Sequence, residues 1–227
     1  MRYLGGKYKI RKQISCYLES VRGGRDYLEP FVGSAAVLQE MRGARTASDS
    51  NKALITMYKA LQEGWLPPDS ITEEMYAHYR MTQDEDDPLT AFIGIGCSFG
   101  GKWFGGYARG GIKRNYAREA KSSLVKLVPF IKDVHFNTCS YSDYTPKNML
   151  IYCDPPYEDT TGYGNNFDSL SFWNVMREWS ENNIVVISEF KAPSDFRCVL
   201  SIGSRTSIRN SKNISALTVE KLFMYGC

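Results

Sequence analysis

Short apolar runs alternate with helix-patterned segments twice along this chain, and that alternation restricts the fold more than any other feature. "DYLEPF" (residues 26–31) reads as a strand ending at Pro30, and "SAAVLQEMR" after it has helical spacing. "ARTASD" (44–49) reads as a second strand, and "NKALITMYKALQEG" as a helix with Asn51 as its cap and Gly64 as its stop. At so short a spacing the strands must run parallel, because a parallel crossover needs a helix to return the chain. The pattern resumes with "VHFNT", "MLIYCD", a helix through "SLSFWNVMREWSEN", and "NIVVISEF". "CVLSIGSRTSI" and "ALTVEKLFMY" then read as an antiparallel hairpin at the sheet edge. Between the two blocks, residues 65–129 carry short helical stretches and a glycine-rich basic loop, with no strand pattern. The expected architecture is one open, mostly parallel α/β sheet with a C-terminal antiparallel hairpin. Residues 1–64 and 130–227 form this unit and residues 65–129 a helical insertion. A chain of 227 residues is long enough for one such core.

Composition removes several function classes. No apolar run approaches the roughly 20 residues that span a bilayer, and "MRYLGGKYKIRKQI" is basic without the apolar centre of a signal peptide. A cytoplasmic protein with no membrane partner is expected. The six cysteines are scattered without a C-x-x-C, and the two histidines, His78 and His135, add no ligand spacing. No metal site is expected, and a hydrolase built on zinc or a histidine base is disfavoured. The net charge of +3 says less than its distribution. Residues 100–118 hold five basic side chains (Lys102, Arg109, Lys113, Arg114, Arg118), no acid, and four aromatics (Trp103, Phe104, Tyr107, Tyr116). This run reads either as a nucleic-acid-facing loop or as a solvated loop with its aromatics turned inward. "QDEDDP" (83–88) reads as a solvated loop capping a helix that starts at Pro88.

In open parallel sheets, ligands sit beyond the carboxyl ends of the strands. The "EPFVGS" turn (29–34) lies at such an end, and Gly33 lets the backbone approach a ligand closely. Sixteen positions later, Asp49 ends the next strand. An acid at about that distance accepts ribose hydroxyls in nucleoside-binding sheets. Read separately, Gly33 is also an ordinary turn glycine and Asp49 a neighbour of a helix cap. The full G-x-G-x-x-G and the phosphate-cradling G-x-x-x-x-G-K-[ST] are absent, so a nucleoside without phosphates fits better than a dinucleotide or ATP. "YLGGKYK" adds Gly5, Gly6 and Lys7, either a flexible start or a lysine placed to meet a carboxylate. "YCDPPYE" (152–158) ends an apolar strand with an acid, two prolines and a tyrosine. The prolines cannot continue a sheet but leave their carbonyls free. The run is either a strand stop or a site for a flat ligand offering an amino group.

Together these stretches resemble the Dam-like (D12 class) DNA adenine-N6 methyltransferases, especially short phage-type members. The resemblance rests on "YLGGK", "EPFVGSAAV", "SDSN", "FGGKWFGGYARGG", "IYCDPPY", "ISEF" and "VEKLF", which span nearly the whole chain. It implies a Rossmann-like methyltransferase fold, S-adenosylmethionine as cofactor, and double-stranded DNA as partner without an obligate protein partner. By the resemblance, Tyr3, Gly6 and Lys7 border the methionine end of the cofactor, above Glu29, Pro30, Phe31, Gly33 and Ser34. Asp49, with Asn51 beside it, takes the ribose, while Asp143 and Tyr144 flank the adenine. Ala35 stands where the family often has a second glycine. Asp154, Pro155, Pro156 and Tyr157 form the catalytic run, with Asp154 also touching the cofactor site. Asp154 and the Pro155 carbonyl accept the two N–H bonds of adenine N6, and Tyr157 stacks on the flipped base. Lys102, Trp103, Phe104, Arg109, Lys113 and Arg114 are the expected DNA contacts, with Trp103 or Phe104 as a wedge. Other amino acceptors (cytosine N4, an RNA adenine, a glutamine side chain) and a catalytically silent nucleic-acid-binding module are the competing readings. Asp at position 154 leans toward adenine.

Overall fold

Strands that are buried on both faces read as continuous apolar runs, and the apolar runs of this chain pair in this way. A computed structural model describes residues 1–110, 114–156, 167–209 and 215–226. Within them, seven strands form one sheet in the order β3-β2-β1-β4-β5-β7-β6. These are β1 (Asp26–Glu29), β2 (Arg45–Asp49), β3 (Val134–Thr138), β4 (Met149–Cys153), β5 (Ile184–Glu189), β6 (Phe196–Arg209) and β7 (Ser215–Tyr225). The first five pair in parallel, and β7 runs antiparallel between β5 and β6. This is a Rossmann-like sheet with a C-terminal antiparallel hairpin, as expected.

Alternation along the strands sorts the two faces. Tyr27, Ala47, Leu150, Tyr152, Val186 and Leu222 pack on one side with helices α1 (Arg11–Val21) and α2 (Lys52–Gln62). Leu28, Ile151, Cys153, Val185, Ile187 and Phe223 face the other, against Phe172, Trp173, Met176 and Trp179 of the helix Ser169–Ser180. The α2 helix begins where the sequence places it: the Asn51 side chain accepts from the Leu54 amide at 3.1 Å, and Gly64 follows the end at φ 94°. The strand order reverses direction between β1 and β4, so the carboxyl ends of these neighbours open a crevice.

The insertion contributes α3 (Glu73–Thr82), α4 (Pro88–Ala91) capped by Asp87 as expected, and a π-helical turn over Phe92–Gly96. Then α5 (Tyr116–Ile131) returns the chain to β3. Its buried Tyr76, Phe92, Ile95 and Phe104 join the same cluster as Leu54 and Tyr58 of α2, so the insertion shares the core of the sheet. Two expectations need correction here. The boundary at residue 129 falls inside α5, whose end is tied to the sheet: Gln62 Nε2 donates to the carbonyls of Ile131 and Val134 at 2.8 and 2.9 Å. The stretch "SAAVLQEMR" makes only a 3₁₀ turn at Leu38–Glu40. Gly33 and Ala35 both hold positive φ, 43° and 55°, which a right-handed helix excludes.

Candidate active site

A cavity of about 900 Å³, within the range of small-molecule sites, lies at the carboxyl ends of β1, β2 and β4. Tyr3, Gly6, Lys7, Glu29, Pro30, Phe31, Gly33, Ser34, Asp49, Asp154, Pro155 and Pro156 all line it. Sequence positions more than a hundred residues apart thus meet because β1 and β4 are neighbours.

The turn after β1 is shaped by Asp49. Its carboxylate accepts from the Gly33 amide (Oδ2, 3.0 Å) and the Asn51 amide (Oδ1, 3.0 Å), while Tyr58 donates to the Gly33 carbonyl at 2.7 Å. Burial raises the Asp49 pKa and the two amides oppose that rise. A Cβ at position 33 would stand 3.2 Å from the Tyr3 ring, besides the positive φ, so only glycine fits this close approach. Buried beneath, Glu29 accepts from the Tyr27 hydroxyl at 2.6 Å. Burial, opposed by that hydrogen bond, pushes the Glu29 pKa up to about 8, and the charge of Asp154 adds to the rise.

At the end of β4, Asp154 is ion-paired. Lys7 Nζ donates to Asp154 Oδ1 at 2.7 Å and to the Gly5 carbonyl at 3.2 Å, and stands 3.8 Å from Glu220 Oε2. The Lys7 side chain is only 6% exposed. A buried ammonium requires anionic partners, and it finds them in Asp154 and Glu220. Lys7, expected to meet a cofactor carboxylate, pairs here with carboxylates of the chain itself while lining the cavity.

Three further expectations change. Asp143 and Tyr144 do not line this cavity; residues 140–142 and Cys139 do. Asp143 instead closes a capping box, accepting from the Ser140 amide at 2.9 Å, and the Tyr144 hydroxyl meets Asn137 Nδ2 at 3.2 Å. Tyr141, at the start of the same turn, packs its ring 5.2 Å from that of Phe31. Asn51 is likewise outside the lining, since its side chain caps α2. Tyr157 and Lys113 lie outside the described residues.

Among the expected DNA contacts, Lys102 lines the cavity. Trp103 is partly exposed and donates to Gln83 Oε1 at 3.1 Å. Phe104 is buried, edge-on to Tyr76 and under Gly94, where a Cβ would come within 2.8 Å of its ring. It is a core residue and is excluded as a wedge. Arg109 pairs with Glu73, and Arg114 pairs with Glu119 through two hydrogen bonds of 2.8 and 3.0 Å while lying over the Tyr116 ring. Sequence reasoning missed Phe99, which is 73% exposed on a glycine-rich 3₁₀ turn, and Phe190 and Glu220, which line the cavity.

The lining suits a cationic nucleoside. Five carboxyl side chains (Glu29, Asp49, Asp154, Asp168, Glu220) face two lysines, Lys7 and Lys102, and Phe31 with Tyr141 offers aromatic faces. Residues 3–91 match the model of the family described as D12 class N6 adenine-specific DNA methyltransferase. The match bears out the resemblance read from the sequence and covers the residues from Tyr3 to Asp49 that line the cavity. Asp154 and its prolines lie beyond it. The activity is methyl transfer to adenine N6 in DNA, with S-adenosylmethionine as methyl donor. No curated protein sequence matches the chain. Among solved structures, precorrin-6y C5,15-methyltransferase from Geobacter metallireducens is similar at 7% identity and TM-score 0.40, covering 96% of this chain and 87% of that one. A Thermoplasma acidophilum structure described as a methyltransferase is similar at 9% identity and TM-score 0.36, covering 90% and 70%. Among the described residues, no helix is long and apolar enough to cross a membrane, and no cluster of ligating side chains could hold a metal ion.

Proposed function

We propose that the chain methylates an adenine flipped out of duplex DNA, with Asp154 and the Pro155 carbonyl as the groups that prepare N6. The observation that carries this reading is the position of Asp154, Pro155 and Pro156 on the wall of the cavity that also holds Asp49 and Gly33. The N6 lone pair is delocalised into the purine ring. Two acceptors on its N–H bonds draw the nitrogen toward tetrahedral geometry and release that pair. Fixed in φ, the prolines hold the carbonyl where it is needed, so little reorganisation is required in the transition state. When bound, S-adenosylmethionine supplies an electrophilic methyl group on a sulfonium. The protein's part is alignment and stabilisation of the charge that arises on nitrogen. Tyr157, by its place in the motif, stacks on the target base. A base inside the duplex is out of reach of such a cavity, which is why flipping belongs to the proposal.

Phe99 replaces Phe104 as the proposed wedge, supported by its exposure beside Lys102 on the cavity rim. Lys102 and Lys113 are proposed for phosphates, Arg109 and Arg114 for base edges after exchanging Glu73 and Glu119 for DNA.

The test is transfer of labelled methyl groups to plasmid DNA, RNA and protein by the wild type and by Asp154→Ala. Label should enter DNA at adenine, and Asp154→Ala should lose nearly all turnover. Tyr157→Phe should be mild and Tyr157→Ala severe. Label in another acceptor, or an active Asp154→Ala, would refute the reading.

A further inference from the structure

We infer that Glu220, on the antiparallel strand β7, is a positioning residue that sets how strongly Lys7 engages Asp154, and so how well Asp154 accepts the N6 protons. This rests on the role proposed for Asp154. Lys7 Nζ lies 2.7 Å from Asp154 Oδ1 and 3.8 Å from Glu220 Oε2, so one ammonium is shared by two carboxylates. Glu220 is itself fixed: its Oε1 accepts from the Ser188 hydroxyl at 2.6 Å, and Ser188 is fully buried on β5. That hydrogen bond crosses the β5–β7 pair, where Ser188 stands opposite Leu222. The antiparallel last hairpin therefore delivers a carboxylate to the cavity beside the carboxyl end of β5.

Among the described residues, the titratable groups that bear on Asp154 come from several elements. They are Lys7 in the N-terminal segment, Glu29 on β1, Tyr152 and Cys153 on β4, Glu189 on β5 and Glu220 on β7. Burial raises the Glu189 pKa to about 7, with Asp154 and Glu220 adding to the rise and Lys7 opposing it, as expected for one coupled cluster. Lys7 is the cation nearest Asp154 in this cluster. With Glu220 ionised, its charge is divided. Without Glu220, the whole charge falls on Asp154, which makes that carboxylate a weaker acceptor for the target amino group.

Glu220→Gln removes the charge and leaves an amide oxygen for the Ser188 hydroxyl. In this variant kcat on plasmid DNA should fall by about ten, the lower end of what partners that orient functional ligands contribute. The acid limb of its pH–kcat profile should move to lower pH. Binding of S-adenosylhomocysteine, which lacks the sulfonium charge, should stay within about twofold by calorimetry, because the cavity is intact. Ser188→Ala should give a smaller change in the same direction, and Glu220→Asp should recover part of the rate; both serve if the glutamine variant folds poorly. An unchanged kcat and acid limb would overturn the inference. So would a lower kcat with an unmoved acid limb, which marks a purely structural role. Asp154→Ala, assayed beside them, separates the two failures: if it is active, the reading of Asp154 falls, and if it is inactive while Glu220→Gln behaves as wild type, only the inference falls.

Discussion

Glu29 is a buried acid held in a form that water would not favour. Its pKa stands at about 8 against an ordinary 4.5, because burial penalises the carboxylate more than the Tyr27 hydroxyl stabilises it. Between those two values the folded protein binds a proton that the unfolded chain has released. By linkage, the stability that this group contributes is complete below about 4.5 and is lost as pH rises through about 8. Glu29→Gln removes the titration while keeping an acceptor for Tyr27. The wild type should therefore lose more melting temperature than Glu29→Gln between pH 5 and pH 8, as followed by circular dichroism. Equal slopes for the two proteins would show that Glu29 does not titrate in this window. The same residue bears on the site, since Glu29 lines the cavity and a carboxyl that is largely neutral near pH 7 adds little charge to it.

At the level of elements, the joints matter as much as the strands. Gln62, the last residue of α2, donates to the carbonyls of Ile131 and Val134, and so pins the end of α5 and the start of β3 to a helix of the first block. Gln62→Ala leaves both carbonyls without this donor, and should cost about 1–3 kcal/mol, read as a lower midpoint in urea with an unchanged slope. A midpoint equal to wild type would mean that water replaces the amide without penalty. Such joints were not legible in the sequence, because a glutamine at a helix end looks like any solvated residue. What was legible depended on short-range chemistry: the Asn51 cap, the Gly64 stop, Pro88 after Asp87, and strands closed by Glu29, Asp49 and Asp154. The helix expected over 34–42 failed because the turn held at Gly33 by Asp49, distant in sequence, is followed by Ala35 at positive φ. Asp143 and Tyr144 missed the cavity because the 3₁₀ turn Tyr141–Asp143 directs Tyr141 inward and uses Asp143 as its own cap. Glu220 was hidden for a different reason. Its partner Lys7 comes from the opposite end of the chain, and no local pattern relates β7 to the first seven residues.

For the whole molecule, the question is how an insertion that shares the core of the sheet also meets DNA. The N-terminal segment joins the two. The Leu4 amide donates to the Gly101 carbonyl at 3.1 Å, and a Cβ at Gly101 would stand 2.8 Å from the Arg2 and Tyr3 backbone. The glycine-rich turn that carries Phe99 thus rests directly on the cavity wall that Tyr3 forms. Phe99 and Phe104 are five residues apart and chemically alike, yet the first is exposed and the second is 7% exposed in the core. A loop without periodicity gave no means of telling them apart. Their truncations should fail differently. Phe104→Ala removes a packed ring and should destabilise the fold by about 3–5 kcal/mol, lowering the melting temperature. Phe99→Ala should leave the melting temperature unchanged and slow methylation of a fully paired duplex. A wedge contributes by filling the gap that a flipped base leaves, and the energy it offsets is that of unstacking and unpairing, which is smallest at a mismatch. The rate of Phe99→Ala should therefore recover toward wild type when the target adenine sits in a mismatch or a single strand. An equal loss on paired and mismatched oligonucleotides would remove Phe99 from the flipping step and leave it as an ordinary contact.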